Sequence, residues 1–469
     1  MPPRELIFLS ANEILKLFRS SQLSPVDLLE AIIQRADEID DTVNPFADKY
    51  FDDARVRAKK SEERYLAGTA RPLEGVPLLV KDSSPIKGIR STVGSLRNAE
   101  NIDDYTDPSI ERLLEAGANF FARSTCPEFC WLFTCHSRMW GVTRNPWRLD
   151  ITPGGSSGGS AAALAAGATT IATGSDSTGS IRQPAAQCGV VGFKSPYGRN
   201  PLDQNSSFDP YVNVGPMTRS VFDAALMQNV MSGLHPLDHN SVCDAVMAPT
   251  SMGDIRGLKI AFSIDLGHYE VLDDVRRETI NTLNALGDAG AEITEVNIEW
   301  ASEAIRLAHA SEEFLFENVI RQALADCPEQ LSDYVPQLYE TASAVTADDY
   351  RNALQVAGVV WTEHMGPLFQ EYDILITPGV SCPEVPAENW QKDKVLVNGK
   401  ELTDTDTAMT ALFNMFNRCP VLSVPAGMTD RGLPVGIQLI GRPYDDLSVF
   451  KVGAAVELSR PWSNKHPEI

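Results

Sequence analysis

The sequence predicts a layered α/β protein folded as one large domain. Three observations carry that reading. Short apolar runs with strand character alternate with amphipathic helical stretches along most of the chain. No Ser/Gly linker, low-complexity block or fixed-period repeat divides the 469 residues into halves. The composition, 43% hydrophobic and 22% charged, is that of a globular protein with a large core, which excludes general disorder.

Taken in order, Ser24 and Pro25 suit a helix N-cap and first turn, and Asp27 is spaced for a capping box. Leu28, Leu29, Ile32, Ile33, Ala36 and Ile39 supply the apolar stripe. Residues 54–66 predict a second, highly charged helix. The run from Gly75 to Val80 has a strand signature and delivers Lys81 and Asp82 at its end. A helix near 109–116, a strand near 119–123, a small-residue helix at 160–168 and a strand at 169–173 follow. Helix 273–289 and strand 291–297 continue the alternation. Residues 302–371 read as a largely helical elaboration before the chain returns to the sheet at 373–377. Strands 421–424 and 435–440, joined through Asp430, Arg431 and Gly432, close the reading.

Forty Lys plus Arg against 63 Asp plus Glu give a formal charge of -23, which argues against a nucleic-acid or anionic-membrane binder. No stretch approaches the roughly 18 consecutive apolar residues of a membrane helix. Residues 1–10 lack a basic start followed by a long apolar run, so a soluble, unexported, cytoplasmic protein is expected. The eight cysteines are dispersed, which suits reduced thiols. Only Cys126, Cys130, Cys135 and His136 cluster. Their spacing matches no common zinc pattern, so core thiols and no metal are expected.

Two segments are unusual. Residues 152–160 hold Gly154, Gly155, Gly158 and Gly159 with Ser156, Ser157 and Ser160, a composition that weakens any regular element but lets backbone N–H groups approach an anion at a helix start. Overlapping G-x-S-x-G matches at Ser156 and Ser157 raise the nucleophile elbow of another hydrolase fold. An elbow follows a strand, however, and Pro146 and Pro153 precede these serines. A Gly-Lys-Ser/Thr phosphate loop is also missing. The second segment, Gly174 to Pro184, stacks turn residues at a strand exit. Such a loop can aim a serine hydroxyl and consecutive N–H groups at one point, as acyl transfer requires. With Lys81, the two segments supply a nucleophile, a proton relay and a base without histidine.

These residues resemble the amidase signature family. The pattern runs from Gly75-Val76-Pro77 to Lys81-Asp82, through Gly154-Gly155-Ser156-Ser157-Gly158-Gly159-Ser160, to Gly179-Ser180-Ile181-Arg182 with Pro184-Ala185. Similarity continues at 143–147, 189–194, 215–217, 372–378 and 424–436, nearly the whole chain. The resemblance implies a mixed β-sheet core flanked by helices on both faces, with a signature core over about 73–220. It also implies a Ser-cisSer-Lys triad with Ser180 as nucleophile, Ser156 as bridging serine after a cis Gly155–Ser156 bond, and Lys81 as base. Lys81 must be neutral when it accepts a proton. Backbone N–H groups of Ser177, Thr178, Gly179 and Ser180 would hold the oxyanion, and Gly155, Ser157, Asp176 and Arg182 would support the loops. Thr178 departs from the family's usual glycine, and a β-branched residue is disfavoured at positive φ.

The expected activity is hydrolysis of a carboxamide C–N bond through an acyl-enzyme, without a cofactor. The substrate is expected to be a small hydrophobic or aryl amide, with esters, anilides and carbamates within the same chemistry. Residues 129–140 and the helical region, with Leu307, Phe314, Phe316, Tyr334, Leu338, Tyr350 and Trp361, are candidate pocket walls. A monomer or homodimer without nucleic acid or membrane is expected. The alternatives are the glutaminase component (the A subunit) of a glutamine-dependent tRNA amidotransferase and a non-catalytic binding protein on the same fold.

Overall fold

Eleven strands of the computed structural model, which describes residues 3–243, 254–388 and 394–469, join in one mixed sheet. In chain order they are β1 (Phe46–Lys49), β2 (Pro77–Lys81), β3 (Asn119–Ser124), β4 (Ile171–Asp176), β5 (Val191–Lys194), β6 (Asn213–Thr218), β7 (Lys259–Phe262), β8 (Glu292–Glu295), β9 (Ile374–Pro378), β10 (Val421–Met428) and β11 (Pro434–Gly441). Across the sheet they lie as β1-β3-β2-β4-β6-β5-β10-β11-β9-β7-β8. β2 runs parallel to β3 and β4, β7 runs parallel to β8 and β9, and the other pairs are antiparallel.

Helices cover both faces, and the alternation of side chains along β2 shows why. Leu79 points into a core with α1 (Pro25–Val43) and the alanines of α2 (Gly158–Ala165). Leu78 and Val80 point into another, with Ile110, Leu113 and the methionines of α4 (Val221–Met231), which follows the short α3 (Arg182–Cys188). Every residue of β2 is buried, as expected of a parallel strand sandwiched between helices. A third core joins β5, β7, β9, β10 and β11 to α5 (Asp273–Asp288), α6 (Ala301–Asp326) and α9 (Asp446–Ser459). Between α6 and β9 lie α7 (Val335–Ala344) and α8 (Ala347–Val360), so the helical elaboration is present. Among the described residues no helix is long and apolar enough to cross a membrane.

Several boundaries differ from the sequence reading. Ser24 does cap α1, accepting from the Val26 N–H at 3.0 Å, but its hydroxyl donates to Glu62 instead of closing a capping box with Asp27. α2 starts at Gly158, because Cβ atoms on Gly158 and Gly159 would lie 2.5 Å from Cys135 Cβ and 2.4 Å from Thr125 Oγ1. Only glycine lets the first turn pass so near the 125–135 segment. β4 runs three residues beyond the expected 173, which turns Ser175 and Asp176 from loop into strand.

Candidate active site

Three neighbouring pieces of backbone converge at the carboxyl end of β2. Lys81 is its last residue and is fully buried. Its Nζ donates to Ser156 Oγ at 2.6 Å and to Ser175 Oγ at 2.8 Å, while its backbone N–H donates to Thr173 Oγ1 at 3.2 Å. Asp82 faces the other way. Its carboxylate accepts from the Thr92 and Gly94 N–H groups at 3.0 and 3.3 Å and from Trp140 Nε1 at 3.2 Å, and burial pushes its pKa up.

Ser156 follows a cis peptide bond from Gly155. A side chain on Gly155 would lie 2.3 Å from the Leu132 carbonyl oxygen, so this backbone is pressed against the 132–134 segment. Ser157 then ties the loop to both sides of the site. Its N–H donates to the Ser180 carbonyl at 3.1 Å, and its hydroxyl bridges the Ser175 carbonyl and N–H at 3.3 Å each.

The loop after β4 carries Ser177, Thr178, Gly179 and Ser180. Its left-handed position falls on Gly179, at φ 133°, and Thr178 is not among the positive-φ residues. The β-branched side chain therefore meets no backbone penalty at 178. Gly179 is needed for a second reason: a Cβ there would stand 1.8 Å from Thr410 Oγ1, whose hydroxyl donates to the Thr178 carbonyl at 2.7 Å.

Beneath this loop Asp176 and Arg182 form a fully buried pair, not a solvated one. Arg182 Nη2 and Nε reach the two carboxylate oxygens at 2.9 and 3.0 Å. Arg182 Nη1 continues to the Thr410 carbonyl and to Gln438 Oε1, each at 2.9 Å, and Asn414 Nδ2 donates to Asp176 at 2.9 Å. Burial opposes ionisation of Asp176, but the charge and hydrogen bonds of Arg182 and the Asn414 amide outweigh it and hold the carboxyl at about 2.

A cavity of about 290 Å³ opens in front of Ser180, Thr178 and Ser177. Trp131, Leu132 and Phe133 form one wall, with Phe316 set edge-on to Trp131 at 5.1 Å between ring centroids. Of the helical candidates, Phe316 and Leu338 line it. Leu307 and Tyr334 are core residues, Trp361 packs on Phe369 and Phe416, and Phe314 stacks on Tyr350. The floor carries His309, Glu312, Glu313 and Asp404. Burial drives His309 down to about 4 and Glu313 up to about 7, and burial with the Asp209 charge pushes Glu312 well above the usual carboxylate range. A larger cavity of about 730 Å³ lies between helix 11–19 and the segment around Trp462, but neither Lys81, Ser156 nor Ser180 lines it.

Residues 27–450 match the Amidase family. The chain belongs to the amidase family. It is 32% identical over its full length to an acylamidase of Rhodococcus erythropolis, covering 98% of that protein. It is also 31% identical over 98% of its length to the A subunit of the glutamyl-tRNA(Gln) amidotransferase of Geobacter metallireducens, again covering 98%. The structure of a bacterial aryl acylamidase of the amidase signature enzymes superposes with a TM-score of 0.90 at 28% identity, over 97% of each chain. The protein is accordingly an amide hydrolase with the amidase signature fold.

Within this amidase, the structure brings Lys81, Ser156, Ser157, Ser180, Asp176 and Arg182 into one assembly. Ser175, a partner of Lys81, escapes the sequence reading because the strand extends further than its apolar run. Thr410, Asn414 and Gln438 escape it altogether. Asn414 reaches Asp176 across 238 positions of chain, and no local pattern marks such a contact. The Cys126-Cys130-Cys135-His136 stretch diverges: Cys135 turns to the Thr125 carbonyl, His136 meets Tyr334 edge-on, and Cys130 faces the cavity.

Proposed function

We propose that this amidase cleaves the C–N bond of small hydrophobic or aryl carboxamides through an acyl-enzyme on Ser180. The observation that carries the reading is the buried Lys81 Nζ 2.6 Å from Ser156 Oγ, beside an aromatic-walled cavity lined by Ser180. Neutral Lys81 takes the Ser156 proton while Ser156 takes that of Ser180, and Ser180 Oγ attacks the acyl carbon. The N–H groups of Ile181 and Arg182 are engaged by Asp176 at 3.2 and 3.4 Å, which leaves those of Ser177, Thr178, Gly179 and Ser180 for the oxyanion. The proton returns through Ser156 to the departing amine, and water then releases the acid. Anilides, esters and carbamates present the same acyl carbon and fall within reach of this chemistry.

The cavity chemistry favours this reading over glutamine hydrolysis. Its described lining contains neither Lys nor Arg, so the α-carboxylate of glutamine would be buried there without a cation to pair with. The test is a panel of aryl amides, anilides, esters, carbamates and glutamine, scored by released amine or alcohol, with fluorophosphonate labelling mapped by mass spectrometry. Hydrolysis of hydrophobic acyl substrates and an adduct on Ser180 that Lys81→Ala suppresses are expected. Activity on free glutamine alone, or full labelling of the Lys81→Ala protein, would overturn the assignment.

A further inference from the structure

Helix α6 supplies much of the lining of the catalytic cavity, and there its charge is left unmatched. His309, Glu312, Glu313 and Phe316 follow one another at three- and four-residue spacing, which sets them on one side of the helix, and all four line the cavity with Ser180. Glu312 is only 9% exposed, and its Oε2 has no hydrogen-bond partner. Glu313 is partly exposed. The other acids of α6 each have an arginine: Glu303 pairs with Arg306 at 2.7 Å, Glu317 with Arg321 at 3.2 Å and Asp326 with Arg97 at 2.8 Å. Among the described residues, the two acids turned to the cavity are the ones without such a partner. Asp404 adds a further carboxyl to a lining that holds neither Lys nor Arg, and burial keeps its His309 neutral, down at about 4. A carboxyl buried without a partner opposes folding, and a helix that pairs its other acids has kept two such groups where a substrate can reach them.

We propose that the carboxyls of Glu312 and Glu313 form an ammonium subsite, so that the amide cleaved here carries a basic amine on an alkyl or aryl arm beyond the scissile bond. This rests on the reading of Lys81, Ser156 and Ser180 as the hydrolytic centre. An ammonium brings a positive charge and three N–H donors to two carboxyls that no basic side chain reaches. The opposite charge favours the ionised carboxylate, so binding expels to solvent whatever proton the two groups hold and replaces an uncompensated burial with charge-assisted hydrogen bonds. The apolar side of the cavity serves the same ligand. The rings of Trp131 and Phe316, edge-on at 5.1 Å, cover the arm and attract its charge. The formal charge of -23 on the whole chain draws the same cation inward. A neutral hydrophobic amide fits the apolar wall as well, but it leaves both carboxyls unpaired.

The test titrates the full-length protein calorimetrically with phenethylamine and with the neutral phenethyl alcohol, in about 0.3 M sodium chloride so that the long-range field is screened. At about pH 8.5 Glu313, raised by burial to about 7, is ionised while an alkylamine is still protonated. The amine is expected to bind about tenfold more tightly than the alcohol, and Glu312→Gln and Glu313→Gln should each cut that margin at least about threefold. The amine should also inhibit hydrolysis competitively. Two series of amides, with the acyl chain or the leaving amine ending in an ammonium or an isosteric methyl group, extend the test to turnover. In one series kcat/KM should favour the ammonium by about tenfold, and Glu313→Gln should erase the preference. Equal binding of amine and alcohol, a margin that both variants keep, inhibition that is not competitive, or a preference for the methyl group in both series would each overturn the proposal. The calorimetric margin does not depend on hydrolysis, so an error in the assignment of Ser180 would show separately, as hydrolysis retained by Ser180→Ala.

Discussion

Gly179 combines a left-handed backbone with a neighbour that leaves no room for any side chain. In Gly179→Ala the Cβ must displace Thr410, and with it the hydrogen bond that holds the Thr178 carbonyl. The loop N–H groups then lose their common aim, and kcat on an anilide substrate is expected to fall on the order of 100-fold or more while the melting temperature shifts little. Unchanged kcat in a folded variant would remove these N–H groups from the mechanism. Asp176 behaves differently, because it is a structural charge. Asp176→Asn leaves the buried Arg182 without its carboxylate, and a loss of about 3–5 kcal/mol is expected in urea denaturation. The folded carboxyl sits at about 2, below its ordinary value, so the stabilisation it confers is complete above about pH 4 and disappears as pH falls toward 2. A loss that persists undiminished at pH 2 would count against the pair as its cause. Both residues are marked in the sequence, since the glycine-rich and serine-rich blocks are local. The partners that make them rigid, Thr410, Asn414 and Gln438, come from the far end of the chain and leave no local sign.

The elements are legible where their burial is one-sided and obscured where it is complete. The stripe of α1 and the charged helix Phe51–Leu66 follow a 3.6-residue period because each has a wet face. α2 is buried on every side, so its alanines and glycines show no period, and it starts two residues before the expected Ser160. β5 and β6 escape recognition as strands for the same reason: both are wholly buried, and their glycines and Pro216 disguise them. The helix Pro108–Glu115 illustrates what such burial does to a cap. Asp107 accepts from the Ser109 and Ile110 N–H groups at 2.8 and 3.2 Å, yet burial and the Asp203 charge raise its pKa to about 8. The folded state thus keeps a proton that the unfolded chain sheds near pH 4. Stability from this group is present at low pH and is lost as pH rises from about 4 to about 8. Asp107→Asn keeps an acceptor for both N–H groups and does not titrate. Its stability relative to the parent should therefore grow by a few kcal/mol across that window, at about 1.4 kcal/mol for each unit, and level off above it. Urea midpoints at about pH 5, 8 and 9 decide this, and a constant difference would refute the raised Asp107.

At the scale of the whole molecule, the formal charge of -23 surrounds a cavity whose described lining holds neither Lys nor Arg. The surface offers little to offset that charge. Pairs such as Arg306–Glu303 and Arg351–Asp348 on the helical elaboration are exposed at both ends, and exposed pairs contribute little and leave the excess of acids unchanged. An approaching carboxylate therefore meets a repulsive field first, and then a lining without Lys or Arg, in which burial holds Glu312 well above the usual carboxylate range, Glu313 at about 7 and Asp404 at about 6, so that no cation waits to pair with it. The long-range part of that repulsion is screened within about 10 Å at 0.1 M salt, whereas the apolar wall of Trp131, Phe133 and Phe316 is indifferent to salt. Two anilides that differ only in a carboxylate on the acyl chain separate these effects. From about 0.01 to about 0.3 M sodium chloride, kcat/KM for the anionic one is expected to rise severalfold, while that for the neutral one stays within about twofold and remains the larger throughout. A parallel response of both substrates, or a preference for the anion at low salt, would mean that a cation reaches the acyl site, and glutamine-like substrates would then have to be readmitted.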